Sequence, residues 1–299
     1  MLLNSSTTVH IHTHSPTSLI LTPYLPVHVR RYHAWMQDPH IRELTASDPL
    51  TLDEEYAMQR SWRSNYDKLT FIVYSYGGGY ETRTDIDKRN RQLSEKGMVG
   101  DVNLFLFLDD DDDNNDVGNN DGHAVNDTNN ININDNGNDD GSHDRNNKIV
   151  IGELELMLAE PSARGRGLGS AVLLALLMYV VKHEREIVAG FLSDGYDGEG
   201  EGRNKRICKE RGGDGGERKG KKNTKIEHFR VRIAKDNIRS LKLFEGLGFK
   251  RTSAEPNYFG EIEMRRYPST ARGWQEDVQE MMREKRLDGW EERQMDLVE

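Results

Sequence analysis

Residues 153–169 of this 299-residue chain read Glu-Leu-Glu-Leu-Met-Leu-Ala-Glu-Pro-Ser-Ala-Arg-Gly-Arg-Gly-Leu-Gly, and two kinds of chemistry meet there. If the first half is a strand, alternation puts Ile149, Ile151, Glu153, Glu155 and Met157 on one face. Val150, Leu154, Leu156 and Leu158 then form the other, a core face. Two neighbouring carboxylates repel, so one is raised in pKa and suits general-base work, directly or through a water. A solvated or salt-bridged strand face would show the same pattern. The second half is a Gly/Arg loop opening an apolar helix. Glycine lets backbone approach a ligand closely, and a helix N-terminus offers unpaired N–H groups and partial positive charge. Arg164 and Arg166 add formal charge, so the construction suits a phosphate or diphosphate.

The type of phosphate ligand is narrowed by what is missing. No Gly-Lys-Ser/Thr follows a four-residue spacer, as a Walker loop requires. A dinucleotide fingerprint through Gly165 and Gly167 would need glycine at 170, where Ser170 stands. The better match is Arg-x-x-Gly-x-Gly, met by Arg164, Gly167 and Gly169, with Pro161 three residues earlier. A second block lies downstream: Asn237-x-x-Ser240-x-x-Leu243-Phe244-x-x-Leu247-Gly248-Phe249. Together these resemble the acetyl-coenzyme A loop and the following strand–helix segment of the GCN5-related N-acetyltransferases. Trp35-Met36-x-Asp38-Pro39-x-Ile41 is similar to the branch that acetylates ribosomal-protein N-termini. Residues 44–52 and 98–106 and the Arg/Gly loop resemble most closely the eukaryotic N-acetyltransferase 9-like branch.

The resemblance implies that a diphosphate lies on Arg164, Gly165, Arg166, Gly167, Leu168, Gly169 and Ser170. It implies that backbone of Met157, Leu158 and Ala159 runs along the pantetheine, with Asn237, Ser240 and Phe244 flanking it. The donor is then acetyl-CoA, a substrate, and no metal is called for. Many relatives carry Tyr where this chain has Phe244, and that hydroxyl protonates the departing thiolate. Phe cannot donate; Tyr258 is a candidate replacement.

The implied reaction is attack of a neutral amine on a thioester. A lysine amine, pKa near ~10.4, is almost wholly charged at neutral pH, whereas an α-amino group near ~8 is about a tenth neutral. A weak base therefore suffices for an N-terminus. Glu155 is favoured over Glu153 because it stands nearer the place where the family's strands diverge. Asp101 and Asn103 share one strand face opposite Val102 and Leu104 and could line the amine site. Glu261, after Tyr258 and Phe259, is a further acidic candidate in a closing hairpin that lies against the acceptor in N-terminal acetyltransferases.

The elements that must position these groups alternate. Strands are predicted at 19–22, 69–75, 98–108, 148–159 and 226–234, with a hairpin of 249–251 and 258–266. Helices are predicted at 27–37, 51–63, 167–182 and 237–247; Thr51 to Glu54 has capping-box spacing, and 167–182 is apolar nearly all round. This predicts one α/β (α+β) domain over 17–267, a mixed and mostly antiparallel sheet flanked by helices. Residues 76–96, 109–147 and 194–224 read as flexible inserts between elements, and 268–299 as a tail with a helix around 274–287.

Charge and composition bound the remaining possibilities. The formal charge is −10, but residues 109–147 hold 12 Asp, 13 Asn and a single Arg, a net −11. The rest of the chain nets +1, which excludes a basic nucleic-acid surface. No apolar run approaches the ~20 residues of a membrane span. The first residues lack a secretory or Arg-rich targeting pattern, so a cytoplasmic protein is expected, the nucleus being open as well. Cys208 is the only cysteine; His10, His12 and His14 alternate but lack further ligands. Trp35, Tyr56 and Trp62 read as core or as groove wall. The leading reading is an acetyltransferase acting on a protein amine. A binding module with lost catalysis, motivated by Phe244, and a small-amine acetyltransferase are the alternatives.

Overall fold

The computed structural model describes residues 4–13, 17–77, 97–109, 149–193, 225–269 and 273–295. Residues 78–96, 110–147 and 194–224 of the predicted inserts, and with them Cys208, lie outside the described residues, as does His14. Nine strands form one sheet: β1 (Thr7–His12), β2 (Thr17–Pro23), β3 (Lys68–Gly77), β4 (Met98–Asp109), β5 (Ile149–Leu158), β6 (Ile226–Ala234), β7 (Lys250–Arg251), β8 (Glu261–Arg266) and β9 (Asp288–Gln294). Their order is β7-β8-β6-β5-β4-β3-β2-β1-β9. Only β5 and β6 are parallel, because a helical crossover joins them.

That crossover comprises α4 (Leu168–Lys182) and α5 (Glu184–Ser193). Twelve residues of α4 are buried, so the helix lies inside the protein, between the sheet and α7 (Gly273–Glu284). Each fully buried Leu or Val there contributes ~1.5–3 kcal/mol relative to exposure. On the opposite face lie α1 (Val29–Met36), α2 (Pro39–Leu44) and α3 (Leu52–Ser64). The predicted capping box opens α3: Glu54 N–H donates to Thr51 Oγ1 at 3.3 Å, and Thr51 N–H to Glu54 Oε2 at 2.8 Å. Two cores result. The larger joins Val150 and Leu154 to α4, α7 and α6 (Ile238–Glu245); the smaller joins Met157 and Ala159 to Tyr24, Tyr32, Trp35, Ile72 and Tyr74.

The sheet reaches past the predicted limits of 17–267 at both ends. Thr7–His12 precedes the predicted domain, yet Val9 and Ile11 are fully buried, and β1 pairs with both β2 and β9. His10 bonds Thr8 within this strand and His12 bonds Ser18, both at 2.9 Å. The tail folds as α7 and β9. Trp274 Nε1 donates to Ile226 O at 3.1 Å, and Trp290 Nε1 to Ala175 O at 3.2 Å. The closing hairpin is shorter than predicted. Its strand starts at Glu261, which leaves Tyr258 and Phe259 exposed in the turn. Among the described residues no helix is long and apolar enough to cross a membrane.

Candidate active site

The site begins where two parallel strands separate. β5 and β6 pair from Val150–Ile226 to Glu153–Arg230 and no further. Beyond that rung β5 stays paired with β4 as far as Leu158, and β6 with β8 as far as Ala234. Residues 154–158 and 231–234 therefore face each other with unpaired edges across a wedge. Such edge groups remain available to hydrogen-bond an extended ligand.

The wide end of the wedge is closed by two helix N-termini. Gly167 caps α4 at φ +76°, and Gly165 precedes it at φ +72°, the left-handed region that glycine enters at no steric cost. A Cβ at either position would meet nothing within 4 Å, so the loop backbone is open to a ligand. A Cβ on Gly169 would instead lie 3.0 Å from Leu243 Cδ2; its absence brings α6 against α4. Asn237 caps α6, its Oδ1 accepting from Ser240 N at 3.2 Å. Leu168 is buried and Ser170 half-buried at the start of α4.

The two loop arginines differ. Arg164 folds back onto the strand it follows, Nε donating to Leu158 O at 2.7 Å and the guanidinium also to Ala159 O at 2.8 Å. It ties the loop to the end of β5. Arg166 bonds Thr17 Oγ1 at 3.1 Å. Phe244 is buried, its ring packed edge-on against Phe249 at 5.2 Å between centroids.

Glu153 and Glu155 lie on the predicted face, towards α1–α3, but their surroundings separate them. Glu153 accepts from Arg230 Nε at 2.6 Å and lies 3.6 Å from Arg232. Among the described residues Glu155 makes no hydrogen bond or ion pair. It is ringed by protein while still open to solvent. Burial raises its pKa to about 7, with the charges of Asp101 and Glu153 adding to the effect and Lys68 opposing it. Glu261 contributes repulsion as well, which brings all the acidic candidates into one field.

Asn103 stands directly opposite Glu155 in the β4–β5 register, and Asp101 opposite Met157. Asp101 Oδ2 accepts from Asn103 Nδ2 at 2.8 Å and from the Tyr32 hydroxyl at 3.4 Å. Burial pushes the Asp101 carboxyl up to about 6. Glu261 accepts from Asn257 Nδ2 at 3.2 Å. Tyr258 is 96% exposed and its ring contacts Phe259, so the structure does not bring its hydroxyl to the carboxylate group.

Four site residues escaped the sequence reading. Arg230 and Arg232 lie in a strand with no motif. Glu160 accepts from Trp35 Nε1 at 2.6 Å and pairs with Arg31, pinning α1 to the end of β5. Tyr32 joins Asp101 across 69 positions of sequence, and only the packing of α1 on the sheet shows it.

Parallel strands that part above two capped helices, with a carboxylate beside them that is unpaired among the described residues, make a cleft suited to an extended, phosphate-bearing ligand. The acetyltransferase (GNAT) domain family matches residues 18–250. An N-acetyltransferase 9-like protein of Schizosaccharomyces pombe is 33% identical over 88% of this chain and 97% of its own. A Drosophila melanogaster protein named alpha/beta-tubulin-N-acetyltransferase 9 is 31% identical over 83% of this chain and 82% of its own. Its Homo sapiens counterpart is 38% identical over 54% of this chain and 58% of its own. The chain belongs to the GNAT family of acyltransferases, and within it to the N-acetyltransferase 9-like proteins.

Proposed function

We propose that this acyltransferase moves the acetyl group of acetyl-CoA to a protein amine, an N-terminal α-amino group, by direct attack in a ternary complex. The observation that carries the reading is Glu155: a carboxylate without an ion pair among the described residues, beside the β5–β6 wedge, with its pKa raised to about 7. The residues present fit acetyl-CoA. The open backbone of Gly165 and Gly167 and the N-terminus of α4 suit a diphosphate, and the unpaired edge of β5 suits the amides of pantetheine. Bound there, acetyl-CoA supplies an activated acyl carbon.

The amine must lose a proton before its lone pair can attack. Glu155 takes it, an exchange only about one unit uphill from an α-ammonium near ~8 and more than three from a lysine near ~10.4. C–N forms and C–S breaks, the sulfur leaving as thiolate while the nitrogen's second proton passes to solvent. With Phe244 buried and unable to donate, solvent rather than a side chain at that position protonates the thiolate. The names borne by the fly and human relatives support α/β-tubulin as the acceptor, and a cytoplasmic location goes with it.

The test is calorimetric titration of the full chain with acetyl-CoA, then thiol release on adding purified α/β-tubulin, with the modified residue located by mass spectrometry. Binding, release and acetyl on an N-terminus are expected. No binding discards the donor; binding without release moves the chain to a binding module; acetyl on lysine alone overturns the α-amine assignment.

A further inference from the structure

The pair Asp101–Asn103 uses only half of its oxygen atoms. Asp101 Oδ2 is bonded twice, by Asn103 and Tyr32, whereas Asp101 Oδ1 and Asn103 Oδ1 are buried and have no hydrogen-bond partner among the described residues. The side chains are 1% and 4% exposed, so bulk water does not solvate them. Leaving a buried acceptor unpaired is unfavourable, and two on joined groups ask for a donor that serves both. Of the neighbouring donors, Tyr32 is given to Oδ2 and Lys68 lies over Trp62 and Phe105, 5.6 Å from each ring centroid, while the buried hydroxyls of Tyr24 and of Thr70, opposite Asn103 in the β3–β4 register, bond neither oxygen.

Glu155 supplies a third acceptor. It is the register partner of Asn103, on the same face of the sheet, and it is exposed where the other two are buried. The three groups thus run from solvent into the protein, and two of them are acids. We propose that Asp101, Asn103 and Glu155 form a receptor for a primary ammonium, three oxygen acceptors matched to its three N–H donors.

This deepens the acetyltransferase reading and rests on it for the identity of the bound amine. It adds a specificity that the reading alone lacks. A secondary ammonium, such as an N-terminal proline or N-methyl group, offers two donors and leaves one buried oxygen unpaired. A hydroxyl offers one and no charge. The acetylated product is a neutral amide with one N–H, so the receptor holds the substrate and releases the product. Burial brings the Asp101 carboxyl to about 6 in the empty site, and a cation beside it should draw that value back down. The competing arrangement is internal: Asp101 keeps a proton and donates it to Asn103 Oδ1.

Two experiments on the full chain decide between them. The first uses protein labelled with carboxyl-13C aspartate, saturated with coenzyme A, with the Asp101 resonance identified by its loss in Asp101→Asn. Methylammonium should lower the pH at which that resonance titrates, from about 6 in its absence, and tetramethylammonium, with no N–H, should not. A titration midpoint that methylammonium does not move overturns the receptor.

The second measures transfer to α/β-tubulin. Asp101→Asn should raise KM for the acceptor about 10- to 100-fold, the worth of a charged hydrogen bond, with the acetyl-CoA KM nearly unchanged. Asn103→Ser, which keeps both acids, should raise the acceptor KM less. A fall in kcat with KM unmoved, in both variants, assigns the pair a merely structural role and overturns the proposal. If the wild-type chain transfers to no amine, the reading of function fails. The methylammonium titration still decides the receptor.

Discussion

Arg230 donates from Nε to Oε2 of Glu153 at 2.6 Å, and the same two residues form the last rung at which β5 and β6 pair. One ion pair thus marks the point where sheet becomes cleft. It also separates two carboxylates that strand alternation treats alike. Glu153 is held by cations, and Glu155, one step further along the same face, makes no ion pair among the described residues.

Removing one partner of that pair should destabilise the fold. Both side chains are 12% exposed, so Glu153→Gln strips the Arg230 guanidinium of its nearest carboxylate and Arg230→Met leaves Glu153 with only Arg232 at 3.6 Å, each at a cost of about 1–3 kcal/mol. The double variant should recover part of the loss, because the orphaned charge is gone. Urea unfolding of the two singles and the double checks this; additive losses would contradict it.

Glu155 should set the pH dependence of transfer. The ionised form is the base, so kcat/KM should rise through about pH 7 and level above it. Glu155→Gln should remove that limb and lower the rate by about 100- to 10,000-fold. Stability runs the other way. A carboxyl whose folded-state value is raised from 4.5 to about 7 stabilises the fold fully below 4.5, and the contribution is lost as pH rises through about 7. Glu155→Gln should therefore match wild type near pH 4.5 and be the more stable protein at pH 8, as read by denaturation midpoints.

Arg164 should act through loop shape rather than charge. Its two bonds go to the carbonyls of Leu158 and Ala159, a fork that lysine cannot reproduce. Arg164→Lys and Arg164→Gln should weaken acetyl-CoA binding by similar factors, measured calorimetrically. If lysine restores binding, the charge itself is what matters there. Gly167→Ala should cost about 1–2 kcal/mol of stability from its φ of +76°, with no steric clash. It should weaken acetyl-CoA binding tenfold or more, since the new methyl stands on the open side of the loop.

The tail should prove indispensable. Ending the chain at 267 removes α7 and β9, uncovering α4 and the outer edge of β1. Trp274, Val278, Met281 and Met282 are buried. Losing even two such side chains exceeds about 3 kcal/mol by area alone. The truncated chain should be insoluble or molten, judged by near-ultraviolet circular dichroism.

Local physics made much of this protein legible in its sequence. The Thr51–Glu54 capping box, the unbroken apolar run of α4, the alternation of β5 and the glycines at 165 and 167 each act over a few residues, and each stands as the sequence predicts. Other features depend on contacts between distant segments. β1 and β9 pair across some 280 residues, and neither carries a signal of its own beyond a few β-branched or charged residues. Which carboxylate is free is likewise a tertiary fact. Glu153 and Glu155 are equivalent by spacing, and only the arrival of Arg230 and Arg232 on the neighbouring strand distinguishes them. Asp101 too is one more polar residue on a strand until α1 covers it with Tyr32, because desolvation belongs to the surroundings of a group and not to the group itself.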